Sequence, residues 1–166
     1  TFGNNSISNL ILFDVLHHIE YPGTVLKELK RVLTKGGRVI IFEPALSLVG
    51  SLIYGVFHHE PTILMKKIKW EAPPDFNPDN VDYYAAQGKA SRIFYRKKYA
   101  EHLQDWKVIC RKRMSSIAYI GSGGYSKPQL YPGFLMPVLE LLDKLFNLFP
   151  YIFATRLLVV LEKRGG

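Results

Sequence analysis

Residues 10–44 read LILFDVLHHIEYPGTVLKELKRVLTKGGRVIIFEP, and this stretch decides the fold. Residues 10–13 form a continuous apolar run, which is typical of a strand buried on both faces of a parallel sheet. Thr24 is placed to cap a helix that has apolar residues at helical spacing and ends at the glycine pair 36–37. Residues 38–42 are rich in β-branched side chains and predict a second strand. The order strand, helix, strand predicts a βαβ unit and therefore an α/β fold.

Polar residues follow both predicted strands. Asp14, His17 and His18 come after the first strand, and Glu43 ends the second. In open α/β sheets, ligands bind outside the carboxyl ends of the strands, so these four residues are the first candidates for a ligand site. Because adjacent side chains usually diverge, we expect only one of the two histidines to face a pocket.

The same stretch carries three motifs: Asp14-Val15-Leu16-His17-His18-Ile19, then Arg31-Val32-Leu33 followed by Gly36-Gly37, then Glu43-Pro44. Together they resemble the second half of a class I S-adenosylmethionine-dependent methyltransferase of the small-molecule, type 11 kind. The resemblance implies a partial Rossmann-like methyltransferase sheet, strands four to seven with their helices. Residues 106–116 would be its sixth strand and residues 155–161 its antiparallel seventh. The amino-terminal half, which holds most of the cofactor pocket, is expected to be missing from this chain.

The resemblance also implies the cofactor, S-adenosyl-L-methionine, and the residues that contact it: Leu12, Phe13, Asp14 and His17. His17 and Asp14 are the catalytic candidates. An imidazole titrates near neutral pH and can act as a general base, and a carboxylate can polarise a nucleophile. The alternatives are a helix-start carboxylate for Asp14 and a structural or substrate-packing role for His17.

The residues expected to contact the substrate are His18, Glu43, Tyr54, His58, His59 and Glu60. For Glu43 the alternative is a turn residue fixed by Pro44. The His-His-Glu run at 58–60, taken with the first histidine pair, suggests a metal. Zinc needs three or four converging ligands, and two diverging histidine pairs with one cysteine do not supply them, so the sequence predicts no metal site.

The chain has 166 residues, which predicts a single domain, the carboxyl-terminal part of a methyltransferase domain. Segments 45–94 and 120–150 are interpreted as insertions that cap the substrate. Within them, residues 46–57 and 132–149 predict helices, the second largely buried or lipid-facing. Their apolar character favours a small-molecule or lipid-like methyl acceptor. Outside them, a short helix is expected at 95–104 and a strand at 106–119.

The chain is basic, with 22 Lys and Arg against 14 Asp and Glu and a formal net charge of +8. The basic residues occur in short scattered groups, which favours a solvated face over a nucleic-acid site, so nucleic acid is not an expected partner. The single cysteine, Cys110, excludes an internal disulfide and suggests a reducing, cytoplasmic location, with peripheral contact to a membrane as a further expectation.

The first residue is Thr1 rather than Met, so the chain is interpreted as a fragment. We expect it to be inactive alone and to have the upstream half of the same protein as a partner. Two alternative functions come from other classes. One is a non-catalytic fragment that docks through exposed sheet edges, and the other is a membrane-surface binding module.

Overall fold

The computed structural model describes residues 2–57, 61–62, 67–80, 82–123 and 128–165. These residues contain four strands: β1 (Ile7–Phe13), β2 (Leu33–Pro44), β3 (Trp106–Met114) and β4 (Arg156–Lys163). They also contain six α-helices: α1 (Pro22–Val32), α2 (Leu48–Leu52), α3 (Lys89–Tyr95), α4 (Ile117–Gly121), α5 (Met136–Phe146) and α6 (Pro150–Phe153). Short 3-10 turns lie at Leu16–His18, Lys97–Tyr99, Glu101–Leu103 and Gly133–Leu135, and a π turn at Ile53–Phe57 continues α2.

The strands form one mixed sheet in the order β1-β2-β4-β3. β1 runs parallel to β2, with Phe13 opposite Phe42, and β4 runs antiparallel to both of its neighbours. The α/β class and the antiparallel last strand are therefore confirmed. Because β1 and β2 are parallel, their carboxyl ends lie together at one end of the sheet. Ligand sites of such folds occur there, and we call this end the carboxyl edge of β1 and β2.

The core lies on the two central strands. Their completely buried apolar side chains are Leu33, Val39, Ile41, Leu157, Val159 and Leu161. Burying one such side chain stabilises a fold by about 1.5–3 kcal/mol. These two well-packed strands support the carboxyl end of the sheet.

β1 differs from the central strands because it lies at the edge of the sheet. Among the described strands it pairs only with β2. Leu10 and Leu12 are half-buried, but Ile11 is 68% exposed. The prediction that residues 10–13 are buried on both faces is wrong for this chain, since the described elements cover only one face of β1.

α1 begins two residues before the predicted cap. Pro22 occupies its first turn, where the missing backbone N–H is not needed by the helix. The hydroxyl of Thr24 instead accepts a hydrogen bond from the backbone N–H of Ala72, at 2.9 Å. The helix ends at Val32 rather than at the glycine pair, because Leu33 already pairs with β1 as part of β2.

The predicted strand 106–119 is too long. β3 ends at Met114 and α4 follows it. The carboxylate of Asp143, in α5, accepts hydrogen bonds from the backbone N–H groups of Ile117 and Ala118, at 2.7 and 3.1 Å. These bonds satisfy free donors at the start of α4 and so favour a helix there.

Three predicted helices are shorter or more interrupted than expected. Residues 46–57 form α2 and the π turn, and residues 95–104 contain two 3-10 turns after α3. Residues 132–149 contain a 3-10 turn and α5, which has no fully buried residue, so of the two expectations, largely buried or lipid-facing, the first is wrong and the second stays a prediction. Within the described ranges, no helix combines the length and the apolar character that crossing a membrane requires.

Candidate active site

A buried histidine–carboxylate pair lies where β1 and β2 end. His17 lies in the 3-10 turn after β1, and Glu43 is the penultimate residue of β2. The Nδ1 atom of His17 is 2.7 Å from Oε2 of Glu43, and the two residues are 3% and 1% exposed. Glu43 also accepts hydrogen bonds from the backbone N–H groups of Leu16, at 2.6 Å, and His17, at 3.2 Å. One carboxylate therefore holds both the turn and the imidazole.

This pairing orients the imidazole. When the Glu43 carboxylate is ionised it can only accept hydrogen bonds, and Nδ1 of His17 then carries the shared proton. In the neutral ring, Nε2 is then the nitrogen that can accept a proton. A histidine oriented by a carboxylate in this way has the arrangement of a general base.

His18 stays close to His17 instead of diverging from it. The two ring centroids are 4.1 Å apart, so the expectation that the side chains point to different places is wrong. Nδ1 of His18 lies 3.1 Å from the carbonyl oxygen of Tyr84, and its ring lies 5.7 Å from the ring of Tyr83. His18 is half-buried and Tyr83 is exposed, so these two rings form the outer part of the cluster.

Asp14 is held by an ion pair with Arg156, the first residue of β4. The Asp14 backbone has a left-handed conformation, with φ of 54°, and its N–H donates to the carbonyl oxygen of Phe42 at 2.9 Å. Aspartate is one of the few side chains other than glycine that tolerate this conformation. The carboxylate is therefore directed to a cation from the other end of the sequence.

The Arg156 guanidinium lies among aromatic rings. Its carbon atom is 4.7 Å from the ring centroid of Tyr119, 5.5 Å from that of Phe42 and 6.0 Å from that of Phe13. Phe13 also stacks on Phe42 at 4.9 Å, while Leu12 is half-buried opposite Ile41 in β2. The four residues predicted to contact the cofactor thus lie together at the carboxyl edge of β1 and β2: Leu12, Phe13, Asp14 and His17. Their contact with a cofactor stays a prediction.

The segment 82–89 covers the histidine turn. The N–H of Ala86 donates to the carbonyl oxygen of His17 at 3.0 Å, and the ammonium of Lys89 donates to the carbonyl oxygen of Ile19. The same ammonium lies 4.2 Å from the ring centroid of Tyr84. Burial lowers the pKa of Lys89 to about 8. Lys89 is a charged group of this site that sequence reasoning missed, as it also missed Arg156.

The other predicted substrate residues divide into two groups. Tyr54 is buried, and its hydroxyl donates to the carbonyl oxygen of Thr155 at 2.9 Å. Burial raises the pKa of Tyr54 to about 12, so the phenol keeps its proton at neutral pH. His58, His59 and Glu60 lie outside the described residues. Among the residues that the structure describes, there is no cluster of three or more metal-ligating side chains.

The comparison with known families decides how this edge is interpreted. Residues 1–41 match the methyltransferase domain family Methyltransf_11. The match confirms the resemblance that the motifs of this stretch suggested, and it contains β1, α1 and the histidine turn. No curated protein matches the chain.

Three solved structures that are similar to this chain are described as methyltransferases or putative methyltransferases. One is a Haloferax volcanii methyltransferase in complex with the activator Trm112, at 11% identity and a TM-score of 0.49 over 99% of this chain and 57% of that one. A second, from Archaeoglobus fulgidus, has 10% identity and a TM-score of 0.44 over 98% and 62%. A third, from Listeria monocytogenes, has 11% identity and a TM-score of 0.49 over 99% and 65%. The chain thus spans 57–65% of the length of these three structures.

Proposed function

We propose that this chain contributes one side of an S-adenosyl-L-methionine-dependent methyltransferase site for a small-molecule or lipid-like acceptor. The observation that carries the proposal is the position of the His17–Glu43 pair. It lies at the joint carboxyl end of two parallel strands, with His17 inside the stretch that matches a methyltransferase domain and Glu43 two residues after it. Ligands of open α/β sheets bind at this place.

The residues present fit one side of the proposed cofactor. Asp14 retains partial exposure in its ion pair, so its carboxylate can also receive the cofactor's ammonium group. The ring of Phe13, which stacks on Phe42, supplies an apolar wall beside it. When bound, S-adenosyl-L-methionine supplies an electrophilic methyl group on a positively charged sulfur. Arg156 keeps the Asp14 carboxylate in place by its ion pair and its contacts with the surrounding rings.

Within this proposal, His17 removes the proton of the acceptor nucleophile. Glu43 holds Nδ1 of the imidazole, so the proton is taken up at Nε2. Because His17 is nearly buried, the acceptor would enter beside His18 and Tyr83, the outer rings of the cluster. Asp14 is the alternative base. Positioning of the two reactants supplies much of the rate in a displacement of this kind.

The acceptor class is inferred from the surroundings of this edge. The predicted cap segments, 45–94 and 120–150, contain the exposed apolar residues of α2 and α5, which suit an apolar or lipid-like acceptor. Segment 82–89 already lies over the histidine turn through Ala86 and Lys89, as a cap would. We infer that the 166-residue chain alone does not methylate, since the described site covers a cofactor from one side only.

Calorimetric titration with S-adenosylhomocysteine, the product form of the cofactor, tests the proposal. The titration uses this chain and a version extended upstream by its in-frame coding sequence. We expect binding by the extended chain, and reduced binding when Asp14 is changed to Asn. The matched control is His102→Gln, which changes an exposed residue outside the site. Absence of binding by both chains would reject the cofactor assignment.

One observation favours a second function. β1 pairs on one side only among the described strands, and its Ile11 side chain is largely exposed. An open strand edge can accept a strand from a partner, so the alternative is a non-catalytic fragment that docks on another protein or on its own upstream half. Ile11→Lys tests whether this edge docks. The substitution would abolish docking of the upstream half, which size-exclusion chromatography of the mixed halves would show. S-adenosylhomocysteine binding by the joined halves distinguishes the two functions, since only the methyltransferase requires it.

A further inference from the structure

α5 has an apolar outer side. Val138, Leu141 and Leu145 are 53%, 56% and 51% exposed and recur at helical spacing, so they share one side of the helix. Phe134 and Leu148 extend this row at the two ends and are still more exposed. Soluble proteins rarely expose a continuous row of large apolar side chains, and such rows mark interaction surfaces.

The opposite side of α5 is tied to the body of the protein. The Asp143 carboxylate accepts hydrogen bonds at the start of α4 and from the Ser115 hydroxyl, the latter at 2.6 Å. Phe146 stacks on Phe153 of α6 at 4.3 Å. These contacts fix the rotation of α5 about its axis, so the apolar row is held outward by specific bonds.

The apolar row continues into the neighbouring helices. Exposed apolar side chains of α6 and of the residues before it are Leu148, Phe149, Tyr151 and Ile152, and those of α2 and the π turn are Leu48, Leu52 and Val56. The Ser47 hydroxyl, which caps α2, donates to the carbonyl oxygen of Ile152 at 2.9 Å and so joins α2 to α6. We call the exposed apolar side chains of α5, α6 and α2 the apolar face.

Cationic groups border the apolar face. The Arg113 guanidinium carbon lies 4.9 Å from the ring centroid of Tyr151, while Arg111, two residues earlier on the edge strand β3, donates to the carbonyl oxygen of Phe94. Lys144 is exposed on α5 itself, one turn after the exposed carboxylate of Glu140. The whole chain has a formal net charge of +8. A second copy of the chain would bring like charges together here, whereas an anionic lipid surface would complement them.

We propose that the apolar face docks on an anionic lipid bilayer. α5 has eleven residues and is about 16 Å long, which is too short to span the hydrocarbon core but suitable for lying in the interface. The apolar row enters the acyl boundary, and the bordering arginines and Lys144 meet the lipid phosphates. The proposal goes beyond methyl transfer and does not depend on it.

Vesicle co-sedimentation of the 166-residue chain tests the proposal. The probes are vesicles of phosphatidylcholine alone and of phosphatidylcholine with phosphatidylglycerol at a seven-to-three ratio. We expect the chain to sediment with the anionic vesicles, less with the neutral ones, and less as salt is added. The double variant Leu141→Glu with Leu145→Glu is expected to lower the partition coefficient by about tenfold or more, since it puts two charges in the acyl boundary.

A matched pair of charge variants separates a specific face from general attraction. Lys144→Glu changes a residue that borders the apolar face, and Lys35→Glu, at an exposed position in β2, makes the same change of net charge elsewhere. We expect the first to weaken binding several-fold more than the second. Circular dichroism checks that each variant is folded.

Three results would overturn the proposal. The first is no sedimentation with anionic vesicles at low salt, and the second is equal loss of binding in the two lysine variants. The third is concentration-dependent self-association that Leu141→Glu abolishes, without vesicle binding, because the apolar face would then join copies of the chain. Methyltransferase activity is not read in any of these measurements, so their failure leaves the proposed function untouched.

Discussion

Two parts of the protein differ in which side chains they bury. The carboxyl edge of β1 and β2 buries polar side chains, whereas the outer side of α5 exposes apolar ones. At the edge, Glu43 and His17 are charged or polar and almost completely buried, and each finds a hydrogen-bond partner. On α5, Leu141 and Leu145 are apolar and more than half exposed. Buried polar groups need partners that hold them in place, which suits a site where geometry matters. Exposed apolar groups need only an apolar surface, which suits docking.

The largest effect is expected at the buried edge. Glu43→Ala removes the acceptor of two backbone N–H groups and of the His17 ring, and leaves these donors buried. We expect it to lower the free energy of unfolding by about 3–4 kcal/mol in urea denaturation. Glu101→Ala, which removes an exposed carboxylate, is the control and should change it by less than about 0.5 kcal/mol. Equal losses in the two variants would contradict the role assigned to Glu43.

The next largest effect on the free energy of unfolding is expected at Asp143, whose hydrogen bonds hold the apolar row of α5 outward. Asp143→Ala removes the carboxylate that caps α4 and binds Ser115, and we expect a loss of about 2 kcal/mol in thermal or urea unfolding. Glu140→Ala, at an exposed position of the same helix outside the apolar row, is the matched control and should change little. If both variants unfolded at the same denaturant concentration, Asp143 would not be what holds α5.

A smaller effect is expected from Lys89 as a function of pH. Burial lowers the pKa of Lys89 to about 8 in the folded chain. Between pH 8 and the ordinary pKa of a lysine, the unfolded chain therefore binds more protons than the folded one. The free energy of unfolding contributed by Lys89 therefore rises with pH above about 8, by roughly 1–2 kcal/mol up to pH 10. The measurement is urea unfolding at pH 7, 8.5 and 10. Lys89→Met should lose this rise, and an identical pH profile in the variant would contradict the assignment.

The smallest effect on stability is expected on the apolar face. Leu141→Glu replaces an exposed side chain, so the free energy of unfolding should change by no more than about 0.5 kcal/mol. Solubility at high concentration should rise, because the row of exposed apolar groups is interrupted. A large loss of stability in urea unfolding would show that Leu141 is packed inside the protein, and the contrast between the two regions would disappear.

The local elements were predictable because their signals are local. The apolar run at 10–13, the helical spacing after Pro22 and the β-branched residues before Glu43 predict that β1, α1 and β2 exist, although β2 begins at Leu33, five residues before its predicted start. The positions of Asp14, His17, His18 and Glu43 at one edge follow from the same pattern and from the topology of parallel strands.

The contacts that give these residues their roles were not predictable, since they come from distant parts of the chain. Arg156 reaches Asp14 across the whole sequence, and Lys89 reaches the turn after β1 from α3. Asp143 ends the predicted strand 106–119 early by capping α4. An arginine beginning an otherwise apolar strand and a lysine among small residues were the only signals of the first two.

The central claim is that the carboxyl edge of β1 and β2 forms part of a methyltransferase site. Ultraviolet cross-linking of methyl-labelled S-adenosyl-L-methionine to the upstream-extended chain, followed by peptide mapping, tests it most directly. The account predicts label on the peptide that carries Leu12, Phe13, Asp14 and His17, with competition by unlabelled S-adenosylhomocysteine. Competed label confined to other peptides of the 166-residue chain would contradict it.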